Sequence, residues 1–260
     1  MNHYHNLQVQ LEQHTALISL HNPPANTFTR EGLMALTQLV HDLNARPEIT
    51  SLILTGSGQK FFSAGADLQT FASGDKALAR EMARRFGEAF EALAAFRGVS
   101  IAAINGYAMG GGLECALACD IRISETQSVL ALPEATVGLL PCAGGTQHLS
   151  WLVGEAWAKR LILLGERIDA ATALRIGLVQ EVVDSGMAVE RAQQLAALAA
   201  KQSPRSLRTC KQLIQGARSQ PVQHMLVQER EAFVDLFDGP DQAEGVQAFL
   251  EKRRANWSYQ

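Results

Sequence analysis

The 260-residue chain is poor in cysteine, in uninterrupted apolar sequence and in basic excess, and each shortage excludes something. Its four cysteines are Cys115, Cys119, Cys142 and Cys210. Cys115 and Cys119 stand four apart, but no Cys/His pair follows at zinc spacing, so no metal site is expected. So few thiols suit a reduced compartment better than a disulfide framework, and the expected location is the cytoplasm. No stretch reaches the roughly 18 apolar residues of a membrane span. The start, Met1-Asn2-His3-Tyr4-His5, has no basic segment leading into an apolar one, so neither a secretory signal nor membrane attachment is expected. Basic excess is also missing. With a net charge of −3, the chain as a whole does not look like a nucleic-acid binder. Nucleotide fingerprints fail as well. Gly56-Ser57-Gly58 is followed by Phe61 where a third glycine should stand, Gly110-Gly111-Gly112 is followed by Cys115, and no Gly-Lys-Ser/Thr occurs. Nicotinamide and nucleoside-triphosphate chemistry are poor fits, and no cofactor is expected.

What is present suits one large α/β domain with a helical appendage. Hydrophobic residues make up 47% and charged residues 19%, enough for a sizeable core. Leu7, Val9 and Leu11 alternate with polar residues, and Ala16 to Leu20 is apolar. Glu12-Gln13-His14-Thr15 between them reads as a hairpin turn. Pro23 and Pro24 forbid regular structure. Thr29 caps a helix carrying Leu33, Leu36, Val40 and Leu43, and Pro47 stops it. A strand over Ser51 to Thr55, a loop through Phe61 to Asp67, and a long helix from about Lys76 to Arg97 follow. Strands are expected over 101–104, 121–124, 129–132 and 179–183, with a short helix running to Ala118. Residues 1–188 form the expected core. Residues 189–260 read as helices only, a tail of the kind that packs against a neighbouring subunit.

Two carboxylates sit where chemistry would use them. Glu114 lies one turn past Gly110-Gly111-Gly112, and a glycine run before a helix offers backbone N–H groups to a ligand. Gly111 and Glu114 are three apart and share a helix face. Glu134 follows in Ala131-Leu132-Pro133-Glu134, with apolar neighbours that resist its charging, so the two acids read as a general base and a general acid.

The motifs together resemble the enoyl-CoA hydratase/isomerase (crotonase) superfamily. The resemblance rests on Phe62-Ser63-Ala64-Gly65-Ala66-Asp67-Leu68, Ile104-Asn105-Gly106-Tyr107-Ala108-Met109-Gly110-Gly111-Gly112-Leu113-Glu114, Cys119-Asp120-Ile121-Arg122, Leu132-Pro133-Glu134 and Gly138 to Thr146. It implies a crotonase-like spiral of ββα units, with a C-terminal helical region that builds homotrimers or dimers of trimers. It implies an acyl-CoA thioester as substrate, with coenzyme A part of the substrate and not a cofactor. By the same resemblance, Ala64 and Gly111 supply oxyanion-hole N–H groups and Glu114 and Glu134 are catalytic; Ala66, Asp67, Leu68 and Gly110 are the substrate-binding candidates, with Asp67 reading in preference as an acid that stabilises its loop. Retention of both acids favours hydration of a 2-enoyl-CoA to a 3-hydroxyacyl-CoA. The rivals are a double-bond isomerase of the same fold and a non-catalytic module that binds acyl-CoA or RNA. Cys142 departs from a frequent glycine, and the proline loop lacks the lysine that many relatives place near the CoA phosphates.

Other residues read as structural. Gly144-Gly145-Thr146 shapes a turn, Asp120 anchors another, and His148 has no Ser or Cys partner. Lys76, Arg80 and Arg84 form a basic row, but Glu81 and Glu88 interrupt it, so it reads as a solvated face. Acyl chain length and pathway stay open, because Thr70 to Arg85 carries no pattern that sequence alone decodes.

Overall fold

The computed structural model describes residues 4–259. The opening hairpin pairs β1 (Leu7–Glu12) with β2 (Thr15–Leu20), antiparallel, across Gln13-His14. The Thr29 hydroxyl accepts from Gly32 N and starts α1 (Arg30–Asn44), which buries Leu33, Leu36, Leu39, Val40 and Leu43. There follow β3 (Ser51–Gly56), β4 (Phe61–Ser63), α2 (Lys76–Ala94), β5 (Val99–Ile104), β6 (Tyr107–Met109), α3 (Gly111–Leu117), β7 (Ile121–Glu125) and β8 (Val129–Ala131). After them come α4 (Gly145–Leu163), β9 (Ile168–Asp169), α5 (Ala170–Arg175), β10 (Glu181–Val183) and α6 to α9 (Ala188–Ala199, Pro204–Gly216, Val222–Asp235 and Pro240–Leu250).

Two sheets share these strands. One has the order β1-β2-β3-β5-β7-β10 and the other β4-β6-β8-β9. The chain therefore climbs as a spiral of ββα units. In each turn it lays one strand in the first sheet, turns a corner into the second, and returns through a helix. Gly56 and Gly106 make the corners: a Cβ on either would lie 2.2–2.3 Å from the carbonyl oxygen of Phe61 or Lys60. The Asn105 side chain locks the corner by accepting from Gly56 N and donating to the Gly56 and Gly58 carbonyls. The apolar stripe of α2 packs Met82, Phe86, Phe90 and Leu93 into the main core. Each such buried side chain stabilises by about 1.5–3 kcal/mol.

β4, β6 and β9 have only two or three residues each, too few for a periodic signal, and Phe61–Ser63 reads from sequence as loop. The divide expected at 188/189 also needs refinement. α6 packs Ala188, Ala192 and Ala196 against Ile53, Ile101, Ala103 and Ile123 of the first sheet, so it belongs to the body. Of the helices that follow, α7 and α8 have no buried residue, whereas α9 buries Asp241 and Ala248.

Candidate active site

The site forms where β4, β6 and β8 end side by side in the second sheet. After β6, Gly110 takes a positive φ of 53° and α3 begins at Gly111. Opposite it runs Ala64-Gly65-Ala66, just past β4. A Cβ on Gly65 would lie 2.8 Å from Gly111 N and 2.7 Å from Met109 O, so only glycine lets the two segments pass this closely.

That crossing decides which amides face the pocket, and it corrects one expectation. The Ala64 N–H donates to the Ala25 carbonyl at 2.9 Å and cannot serve an oxyanion. Gly65, with φ 83°, breaks the extended run, so the Ala66 N–H does not follow that of Ala64 toward Ala25. Among the described residues neither Ala66 N–H nor Gly111 N–H has an acceptor, and both residues line one cavity. The first N–H of a helix has no intrahelical partner in any case, and the helix dipole favours an anion there. The free amides bordering the cavity at this crossing are therefore those of Ala66 and Gly111. Ala64 lines the same cavity without offering its amide.

The cavity holds about 670 Å³ and both glutamates border it. Glu114 is only 3% exposed, and all seven residues of α3 are buried. Its Oε1 accepts from Ala143 N at 2.8 Å and Gly145 N at 2.9 Å, the turn that opens α4. Burial raises the Glu114 pKa, and these amides oppose that by stabilising the carboxylate. Gly144 has φ 98°, and a Cβ on Gly145 would lie 2.9 Å from Glu114 Oε1. The glycine pair thus serves the acid directly.

Glu134 opens a 3-10 turn, Glu134–Val137, just past β8. Burial pushes its carboxyl up to about 7, with a further contribution from Glu114. Its Oε2 is buried and has no hydrogen-bond partner. The two acids therefore occupy different electrostatic settings on one cavity. Glu114 is held by two donors, whereas Glu134 retains its proton into the neutral range.

The other assigned residues divide. Leu68, Gly110 and Ala66 line the cavity. Asp67 is not among the lining residues: its carboxylate accepts from Gln69 N and caps the 3-10 turn Leu68–Phe71. Cys142 borders the cavity, and burial pushes its thiol up to about 11, so it is no thiolate nucleophile at neutral pH. Among the described residues no group of three or more His, Cys, Asp or Glu side chains is placed to hold a metal.

Comparison with known proteins fits this geometry. The enoyl-CoA hydratase/isomerase family model matches residues 10–260. The chain belongs to that family. It is 39% identical over 250 residues to the 2,3-dehydroadipyl-CoA hydratase of Escherichia coli K12, covering 95% of this chain and 96% of that one. It is 34% identical over 250 residues to the short-chain-enoyl-CoA hydratase of Clostridium acetobutylicum, covering 96% of each. The structure of Pseudomonas aeruginosa DspI superposes with a TM-score of 0.97 at 66% identity, over 99% of this chain and 98% of that one. An enoyl-CoA hydratase structure from Bacillus anthracis gives 0.94 at 35% identity, over 98% and 100%.

Within this family member, sequence reasoning missed three contributions. Ala143 and Gly145 act through backbone N–H groups, which leave no side-chain signal. Phe86 reads as a core residue of α2, yet its ring lies 3.0 Å from a Cβ built on Gly111 and borders the cavity. Arg167, just before β9, is the one basic side chain lining the cavity among the described residues.

Proposed function

We propose that the protein is an enoyl-CoA hydratase that adds water across the 2,3 double bond of a 2-enoyl-CoA to give a 3-hydroxyacyl-CoA. The observation carrying this reading is the pair of unlike glutamates on one cavity beside two free amides. The thioester oxygen accepts from Ala66 N–H and Gly111 N–H, and each donor lowers the barrier by about 3–4 kcal/mol as negative charge builds on that oxygen. Glu114 takes a proton from water as its oxygen bonds to C3. Glu134, still protonated near neutrality, delivers a proton to C2. The two acids couple through their shared site, so their titrations belong to the pair. No redox group or metal enters this scheme.

Single Glu114→Gln and Glu134→Gln variants test it. Each is expected to lower kcat for hydration by about 10²–10⁴. Near-normal hydration by either would refute the pair. Isomerisation of a 3-enoyl-CoA, followed alongside, separates the rival in which one carboxylate shuttles a proton between carbons. If only that rate survives, the isomerase reading replaces this one. Tight acyl-CoA binding without turnover would leave a binding module.

The C-terminal helices belong to the same reading. α8, α9 and the 3-10 turn Leu236–Asp238 between them expose Phe233, Phe237, Phe249 and Leu250, a face suited to other copies of the chain, and a trimer or dimer of trimers is the proposed assembly. Among the described residues no helix is long and apolar enough to cross a membrane. The proposed location is the cytoplasm.

A further inference from the structure

The cavity continues beyond the catalytic pair, and its far wall has a pattern. Ala79, Ala83 and Phe86 line it from α2. They are spaced i, i+4, i+7, so they share one helix face. Phe86 is buried, Ala83 half-buried and Ala79 exposed, so the wall runs outward from the reacting centre to the surface. Seven residues of α-helix span about 10 Å. The inner end is rigid: the Phe86 ring packs edge-on against Phe28 and Phe90, with centroids 5.8 and 5.7 Å away. The outer two positions carry only methyl groups, leaving a trough where larger side chains would close it.

The rest of the lining is mostly apolar, with Arg167 its one basic side chain among the described residues. Leu68, Val137, Leu139 and Leu140 all line this cavity, and all four are exposed, Leu140 by 67%. Large apolar side chains clustered around a cavity mouth mark a surface meant to be covered. A four-carbon acyl group would end near the glutamates and leave them in water. A longer aliphatic tail would lie along the trough and cover them.

We infer that this protein selects medium-chain 2-enoyl-CoAs, and that Ala83 and Ala79 set the chain length in that order outward from the alkene. The inference rests on the acyl-CoA reading of the site and adds its substrate class. The chemistry is unchanged. The tail contributes only burial, about three- to fourfold in affinity per methylene covered.

Two series test it with crotonyl, hexenoyl, octenoyl, decenoyl and dodecenoyl-CoA: kcat/KM for the enoyl thioesters, and Kd by calorimetry for their saturated analogues. For the wild type both are expected to improve by at least about tenfold from the four-carbon to the eight- or ten-carbon chain. Ala83→Phe is expected to move the optimum to hexenoyl-CoA or below. Ala79→Phe is expected to affect only decenoyl-CoA and longer. A wild-type optimum at crotonyl-CoA would overturn the inference, as would variants that weaken every length by the same factor. Ala83→Leu, a smaller intrusion, is expected to give an intermediate optimum, so a folding defect in the phenylalanine variant cannot mimic the result. The calorimetric arm separates two failures. Length-dependent affinity without hydration would retain this inference and remove the hydratase reading. Hydration without length dependence would do the reverse.

Discussion

Glu134 Oε1 lies 3.1 Å from where any other residue at position 110 would carry its Cβ. Gly110 also has φ 53°, a region L side chains rarely adopt. Gly110→Ala therefore meets strain and displaces the acid at once. Unfolding measurements are expected to show a loss of about 1–3 kcal/mol. The acid has to give by a few tenths of an ångström, less than the roughly 1 Å that costs about 10²-fold in kcat, so turnover should fall by less than that factor. Glu134 also sets a pH window. Its folded pKa is about 7 against an ordinary 4.5, so the folded state holds the proton after the unfolded chain has lost it. Its contribution to stability is complete below 4.5 and declines as pH rises to about 7. Denaturant titrations of wild type and Glu134→Gln across that window are expected to diverge in favour of the variant. Hydration should lose its proton donor as pH passes about 7. The glutamates were legible in sequence because side-chain type and spacing announce them. The amide donors were not. Ala64 and Ala66 look alike as letters, and only the bond from Ala64 N–H to Ala25 decides between them.

At the scale of elements, a single glycine divides α4. Gly154 has φ 78° and ψ 161°, outside the helical region, and the chain changes direction there before Ala158 and Leu161 return to the core. A Cβ at this position would meet nothing within 4 Å, so Gly154→Ala tests conformation alone. The expected cost is about 1–3 kcal/mol. A melting temperature lower by about 2–4 °C for each kcal/mol would register it. An unchanged melting temperature would mean the break relaxes into continuous helix. The long helices and the first sheet could be read from periodicity: α1 carries its cap at Thr29 and its stripe through Leu43, and β3 is six buried residues. The second sheet could not. β4, β6 and β9 are defined by neighbours distant in sequence, as in the pairing of Phe61 with Tyr107, and three residues cannot show a period of two. That sheet positions the site, so the fold was more legible than the geometry it creates.

The whole molecule poses a question of covering. Lys211 ties α7 to the body by donating to the Phe96 and Gly98 carbonyls and pairing with Asp120 at 2.7 Å. Beyond it, the apolar residues of α8 and α9 face outward, with Phe249 82% and Leu250 74% exposed. A phenylalanine buries about 150–250 Å² when covered, and at about 25 cal/mol per Å² several such residues supply the free energy of a stable contact between copies. Their arrangement on adjacent helices, continuous with α7, suits a symmetric closed assembly better than a scattered surface would. Replacing Phe249 and Leu250 together by aspartate places charges where that contact would exclude water. Sedimentation is expected to show the wild type as an assembly and the double variant as a single folded chain with unchanged helical content. A wild-type protein that sediments as one chain would mean that something other than its own copies covers this face. Because Lys211 bonds to Phe96, Gly98 and Asp120 of the body, Lys211→Ala should lower the melting temperature while the assembly itself persists. Those two variants separate what holds the helices to their own body from what brings the bodies together.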